Sequence, residues 1–180
     1  YYRRHCDWGI LLRLFPLTAV GIVIGYFSVN VLPAEVFEKV IGATILFMLG
    51  FEMLVPSRNN RSAHPILTAF VGVFAGISTM IANAAGPIFG VYLLQMGLSK
   101  KEFVGTRSWF FLVVNLFKIP FSANLGLVTF ETLKLNMVFV PVILLGAYLG
   151  YKVLGLLNMA AFKWLIRGAV VIAATRLLIF

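Results

Sequence analysis

The chain has 180 residues, of which 61% are hydrophobic and 12% charged, about half the charged share of a soluble domain. Its 15 Lys and Arg against 6 Asp and Glu give a net charge of +9, but they lie in short connections and at helix ends. They never form a basic stripe with interleaved aromatics, which argues against a nucleic-acid surface.

A mean hydropathy of +0.99 makes lipid, not water, the main solvent. Crossing about 30 Å of hydrocarbon takes roughly 20 apolar residues, so the length allows roughly six or seven spans and no separate soluble domain. The start, Tyr1-Tyr2-Arg3-Arg4-His5, has neither an initiator Met nor a signal-peptide pattern and reads as a truncation. Cys6, the single cysteine, can form no intramolecular disulfide and has no second thiol for a metal site. Apolar runs follow at roughly 9–31 and 36–55, parted by Leu32-Pro33, and Pro56-Ser57-Arg58-Asn59-Asn60-Arg61 leads to a run at roughly 65–83. Asn83 to Pro87 interrupts the chain, and only about 11 apolar residues, roughly 87–97, precede Gly97-Leu98-Ser99-Lys100-Lys101. Runs at roughly 103–121, 134–157 and 160–180 complete the chain, with breaks at 122–126 and around Asn158. Period-2 alternation is absent, which argues against a barrel. All six acids, Asp7, Glu35, Glu38, Glu52, Glu102 and Glu131, fall at or near ends of apolar runs, several in a first helical turn where the dipole favours them. The expected fold class is all-α transmembrane.

Pro16, Gly21, Gly25, Tyr26 and Phe37 recur as Pro141, Gly146, Gly150, Tyr151 and Phe162, each displaced by 125 residues. The first two runs therefore look like copies of the last two. On this reading residues 1–56 end a first repeat with two transmembrane helices, and residues 65–180 form a second repeat, a helical hairpin plus three transmembrane helices. The natural chain would then begin about 60 or more residues before Tyr1. Arg3, Arg4, Arg58, Arg61, Lys100, Lys101, Lys152 and Lys163 share one side only if 65–83 and 87–97 form a hairpin that enters and leaves from the cytoplasm. That hairpin inverts the two repeats, giving an inverted-repeat helical bundle with broken helices, the architecture of alternating-access carriers. The pairs Gly21/Gly25, Gly72/Gly76 and Gly146/Gly150 suit close helix packing.

Two segments could carry chemistry. Backbone left unpaired at membrane depth survives only where protein or a water-filled cavity satisfies it, so the break Ser78 to Pro87 is the first. Pro87, read as the first residue of a half-helix, would be followed by amides that form an anion site with the dipole; a Gly-Pro kink capped by Asn83 is the plainer alternative. On the run 103–121, Thr106 or Arg107, Phe111, Asn115 and Lys118 share roughly one helical face. Ionisable groups inside a membrane are functional candidates. Snorkelling to the headgroups is the alternative for Arg107 and Lys118, and an interhelical hydrogen bond that for Asn115. The expected site is substrate-binding: Asn83, Gly86, Pro87 and the amides after it, with Thr106, Arg107, Asn115 and Lys118. Arg167 reads as structural, and Trp8, Trp109 and Trp164 as interface anchors. His5 and His64 lack ligand spacing, so no metal or cofactor is expected. Ser78, Ser108 and His64 supply no paired acid or nucleophile, which favours a carrier over an intramembrane enzyme. A structural membrane subunit without a substrate is the other rival.

The run Ala82-Asn83-Ala84-Ala85-Gly86-Pro87, then Tyr92-Leu93-Leu94, Gly105-Thr106 and Asn115-Leu116-Phe117-Lys118-Ile119-Pro120, resembles the second half of the TauE/SafE sulfite exporter family, also called the toluene-sulfonate uptake permeases. The likeness is close over about residues 63–180 and loose over the first 60. It implies a multi-pass protein of the inner cell membrane that carries sulfite, sulfonates or related sulfur-containing organic anions, in keeping with a basic interior free of carboxylates. The implied partners are a small anion and the lipid bilayer, with homo-oligomers open and nucleic acid excluded. The family's first-half Gly-rich motif is missing, and Arg107 stands after the Gly-Thr pair where the family pattern does not lead one to expect a cation.

Overall fold

In a computed structural model of the chain, residues 5–29, 33–54 and 64–179 are described. Arg3, Arg4, Leu32, Arg58, Arg61 and the Phe37 side chain, which entered the charge, break and repeat readings, lie outside what is described. The described residues form seven helices and no strand: α1 Trp8–Ser28, α2 Ala34–Leu54, α3 Pro65–Ile81, α4 Ala85–Gln95, α5 Lys100–Asn124, α6 Phe130–Leu156 and α7 Met159–Ile179. The starts of α5 and α6 come about three and four residues earlier than the apolar pattern suggests, because capping chemistry sets them. Ser99 and Glu102 close a reciprocal capping box at α5, and Thr129 and Thr132 do the same at α6. Pro16, Pro120 and Pro141 all lie within helices. Membrane helices tolerate this because neighbouring groups satisfy the freed carbonyls.

α3 and α4 are a hairpin. Thr68 and Tyr92 share a hydroxyl–hydroxyl hydrogen bond of 3.2 Å, although 24 residues of continuous helix would hold them about 36 Å apart. α3 also packs along α1 through glycines at backbone distance. A Cβ on Gly21 would lie 2.1 Å from the Val73 carbonyl oxygen, and one on Gly76 would lie 2.2 Å from that of Thr18. Leu14, Ile22, Val71 and Ala75 are buried in this seam.

α2 and α7 pack antiparallel. Near one end Arg167 grips Glu52 in a bidentate ion pair, Nε to Oε2 at 3.0 Å and Nη2 to Oε1 at 2.9 Å. Near the other, a Cβ on Gly42 would lie 3.2 Å from Leu177 Cβ.

α6 is different, with none of its 27 residues buried. Its mean hydropathy reaches 1.9, matching the 2.0 of α1, and both are long and apolar enough to cross a membrane. Gly146 and Gly150 have nothing within 4 Å of a built Cβ, whereas Gly21 and Gly25, their counterparts in the sequence pattern, meet α3. Lys100 ties the α6 end to α5 by donating to the carbonyls of Leu154, at 3.2 Å, and Leu157. An apolar helix exposed all round is stable in lipid and not in water.

Candidate functional site

The hairpin tip is built from three residues. The amides of Ala82 and Ala84 both donate to the Ser78 carbonyl, at 3.0 and 3.1 Å, closing the end of α3. Between them Asn83 takes φ 52°, the left-handed region that Asn tolerates better than most residues. α4 then starts at Ala85, with Ala84 at the cap position and no side chain capping it. Pro87 is thus the third residue of α4 and not the first, which corrects the boundary read from sequence. The amides ahead of the helix's own bonds are those of Ala85 and Gly86, before Pro87 and not after it. Pro87 still falls in the first turn, where its missing N–H breaks no intrahelical bond.

Lys118 reaches this tip from α5. Its Nζ donates to the Thr79 carbonyl at 3.1 Å, the Thr79 hydroxyl at 3.2 Å and the Asn83 side-chain oxygen at 2.7 Å. The head is pinned in the protein, so Lys118 does not snorkel. Arg107 also turns inward. Its Nη2 lies 3.2 Å from where a Cβ on Gly86 would stand, and its Nη1 is 3.8 Å from that position on Gly90. The glycine face of α4 makes room for the guanidinium, which sits over the Phe111 ring at 5.7 Å. No hydrogen-bond acceptor or carboxylate meets it among the described residues.

Behind the tip lies a cavity of about 670 Å³, bounded by Asn83, Ala84 and Pro87, by Ala169, Ala173 and Arg176 of α7, and by Glu38 of α2. The family model for Sulfite exporter TauE/SafE matches residues 1–177. This chain belongs to the TauE/SafE family. No curated protein and no solved structure matches it. The TauE/SafE match takes in the first 60 residues as well as the later region where the motif likeness is close. It makes the chain a membrane protein of a transporter family.

In this TauE/SafE chain, Asn83, Gly86, Pro87, Arg107 and Lys118 gather around the hairpin tip. Thr106 and Asn115 do not. Thr106 is fully buried, its hydroxyl accepting from the Asp7 amide at 2.9 Å, and it stands 12 residues, about 18 Å along α5, from Lys118. Asn115 is exposed, beside the buried Phe110 and Val114 that define the inward face of α5. A stripe at spacings of three and four residues covers more than 100° of a helix, so its members can face different neighbours. Glu38, read from sequence only as a helix-end acid, lines the cavity, and Glu52 is buried, so the interior is not free of carboxylates as expected; Arg176 went unnoticed. For Arg176 a signal exists, since Ala169, Ala173 and Arg176 follow i, i+4, i+7 on one face of α7.

Proposed function

We propose that this chain is a multi-pass carrier in the cell membrane that moves small sulfur-containing anions, sulfite or sulfonates, by alternating access. One observation carries the reading: an uncapped half-helix start, with Arg107 and Lys118 turned toward it from α5, opens on a cavity of about 670 Å³. The first amides of α4 and its dipole offer roughly half a positive charge at a fixed place. Two full charges nearby add to that potential, and the addition grows as water is excluded. A three-oxygen anion presents several acceptors, which suits converging N–H donors. The cavity has the volume of a small-molecule site. Inverted halves, as the 125-residue sequence repeat suggests, would supply the two equivalent states that alternating access needs. The positive-inside rule places Lys100, Lys101, Lys152 and Lys163 toward the cytoplasm. The hairpin tip and the cavity then lie toward the opposite face.

The test is thermal unfolding of the detergent-solubilised protein with sulfite, sulfate, thiosulfate, a sulfonate or chloride, paired with uptake of the same anions into liposomes. A binder of the native state raises the Tm. Sulfite or sulfonate should raise it and be taken up, and chloride should not. An unmoved Tm with no uptake of any sulfur anion would overturn the reading.

A further inference from the structure

An ammonium has three protons to donate, and in Lys118 all three find oxygen: the Thr79 carbonyl, the Thr79 hydroxyl and the Asn83 amide oxygen. None is left for a transported anion. The three oxygens are neutral. They cluster at the C-terminal end of α3, where the dipole is negative and favours a cation. Carbonyl, hydroxyl and amide oxygens at the end of a broken helix are also the donors that hold a coupling cation in carriers built from such helices. Here a side chain of the protein's own fills that place.

We propose that Lys118 is a tethered coupling cation: its ammonium permanently occupies an oxygen cage suited to Na⁺ or K⁺, so this chain carries its anion without an alkali cation. The word coupling rests on the carrier reading above; the cage does not. With Lys118 in place the tip is locked in the geometry that sets Asn83 and the first amides of α4. Removing the ammonium leaves an empty cage that a small free cation can fill.

Lys118→Ala removes head and stem and leaves the cage oxygens. The Tm of this variant in detergent should rise by several degrees in ethylammonium or sodium chloride over choline chloride at equal ionic strength, since choline is too large for the cage. Wild type should unfold at one temperature in all three salts. Lys118→Met fills the stem's space with an apolar chain and should gain nothing from ethylammonium. A folded Lys118→Ala that shows no difference between salts overturns the cage. If Lys118→Ala does not fold, wild type decides: sulfite uptake into liposomes should be equal in sodium, potassium and choline, and a tenfold loss in choline overturns the proposal. A salt-specific shift in Lys118→Ala with no uptake of any sulfur anion by wild type upholds the cage and overturns the carrier reading.

Discussion

Glycines that look alike in sequence differ in what a methyl group would meet. At Gly21 and Gly76 a Cβ would strike backbone oxygens at 2.1 and 2.2 Å, and backbone cannot swing aside as a flexible side chain does. Gly21→Ala or Gly76→Ala should therefore cost about 1–3 kcal/mol or more by overpacking, seen as a lower Tm in detergent. Gly146→Ala and Gly150→Ala, with open space around them, should stay within about 0.5 kcal/mol of wild type. Glu52 and Arg167 make a second residue-scale case. Glu52 is 5% exposed, so Arg167→Leu strands a buried carboxylate, at a cost of about 3 kcal/mol. The double variant Glu52→Leu, Arg167→Leu removes both charges and should recover most of that loss, because a buried ion pair contributes little beyond satisfying its own members. A double-mutant cycle read by thermal unfolding measures the coupling, and additive single effects would show that the pair is not coupled. Cys6, outside the helices, has its thiol pushed up by burial, with a hydrogen bond from the Thr106 side chain opposing the shift only in part. A raised value means less thiolate at neutral pH, so maleimide labelling should be slower than for a free cysteine and speed up as pH rises.

At the scale of elements, the hairpin is where the chain departs from a simple set of spans. α3 and α4 fold back on one another, so His64 at the start of α3 and Ser99 at the start of α5 lie at the same end of the bundle. In a Cys6→Ser background, His64→Cys and Ser99→Cys should label from one face of the membrane and Leu125→Cys, in the turn after α5, from the other. Labelling of His64→Cys and Ser99→Cys from opposite faces would mean that α3 and α4 together make one crossing. The break that allows the hairpin needs Asn83, because the left-handed φ there is adopted at low cost only by Gly, Asn or Asp. Asn83→Gly would keep the turn and lose the oxygen that Lys118 holds, whereas Asn83→Val would strain the backbone as well, at a cost of roughly 1–3 kcal/mol.

Taken whole, the molecule turns much apolar surface outward and keeps Arg107, Lys118 and the Glu52–Arg167 pair between its helices. Arg107 turns inward against α4 and meets no protein acceptor among the described residues, so its loss should fall on the anion more than on the fold. Arg107→Met keeps much of the stem and should weaken sulfite binding about 10- to 100-fold, the worth of one hydrogen bond to a charged group at roughly 1.5–3 kcal/mol, with the Tm of the unliganded protein little changed. Gly86→Ala is the geometric companion. Its Cβ would press on the Arg107 Nη2 at 3.2 Å, and a flexible guanidinium can yield by moving off the α4 face. Binding should fall while folding is preserved, as isothermal calorimetry against thermal unfolding would separate.

The membrane class, the seven helical segments and the interruption before Pro87 were legible in the residues themselves, because hydropathy, caps and Pro-Gly chemistry act over a few positions and need no partner. The hairpin was legible too, through the side on which the lysines must fall. Tertiary packing decided the rest. Whether Lys118 reached lipid or protein depended on Thr79 and Asn83, more than 30 residues away in the chain. Asn115 and Thr106 share the polar stripe of α5, but α1 and α4 choose which of its faces is inward. Glu38 and Arg176 entered the cavity only because α2 and α7 pack antiparallel beside the hairpin tip. Local sequence determines which elements form, since their bonds close within a turn; which side chains converge depends on contacts between distant segments, which no single segment encodes.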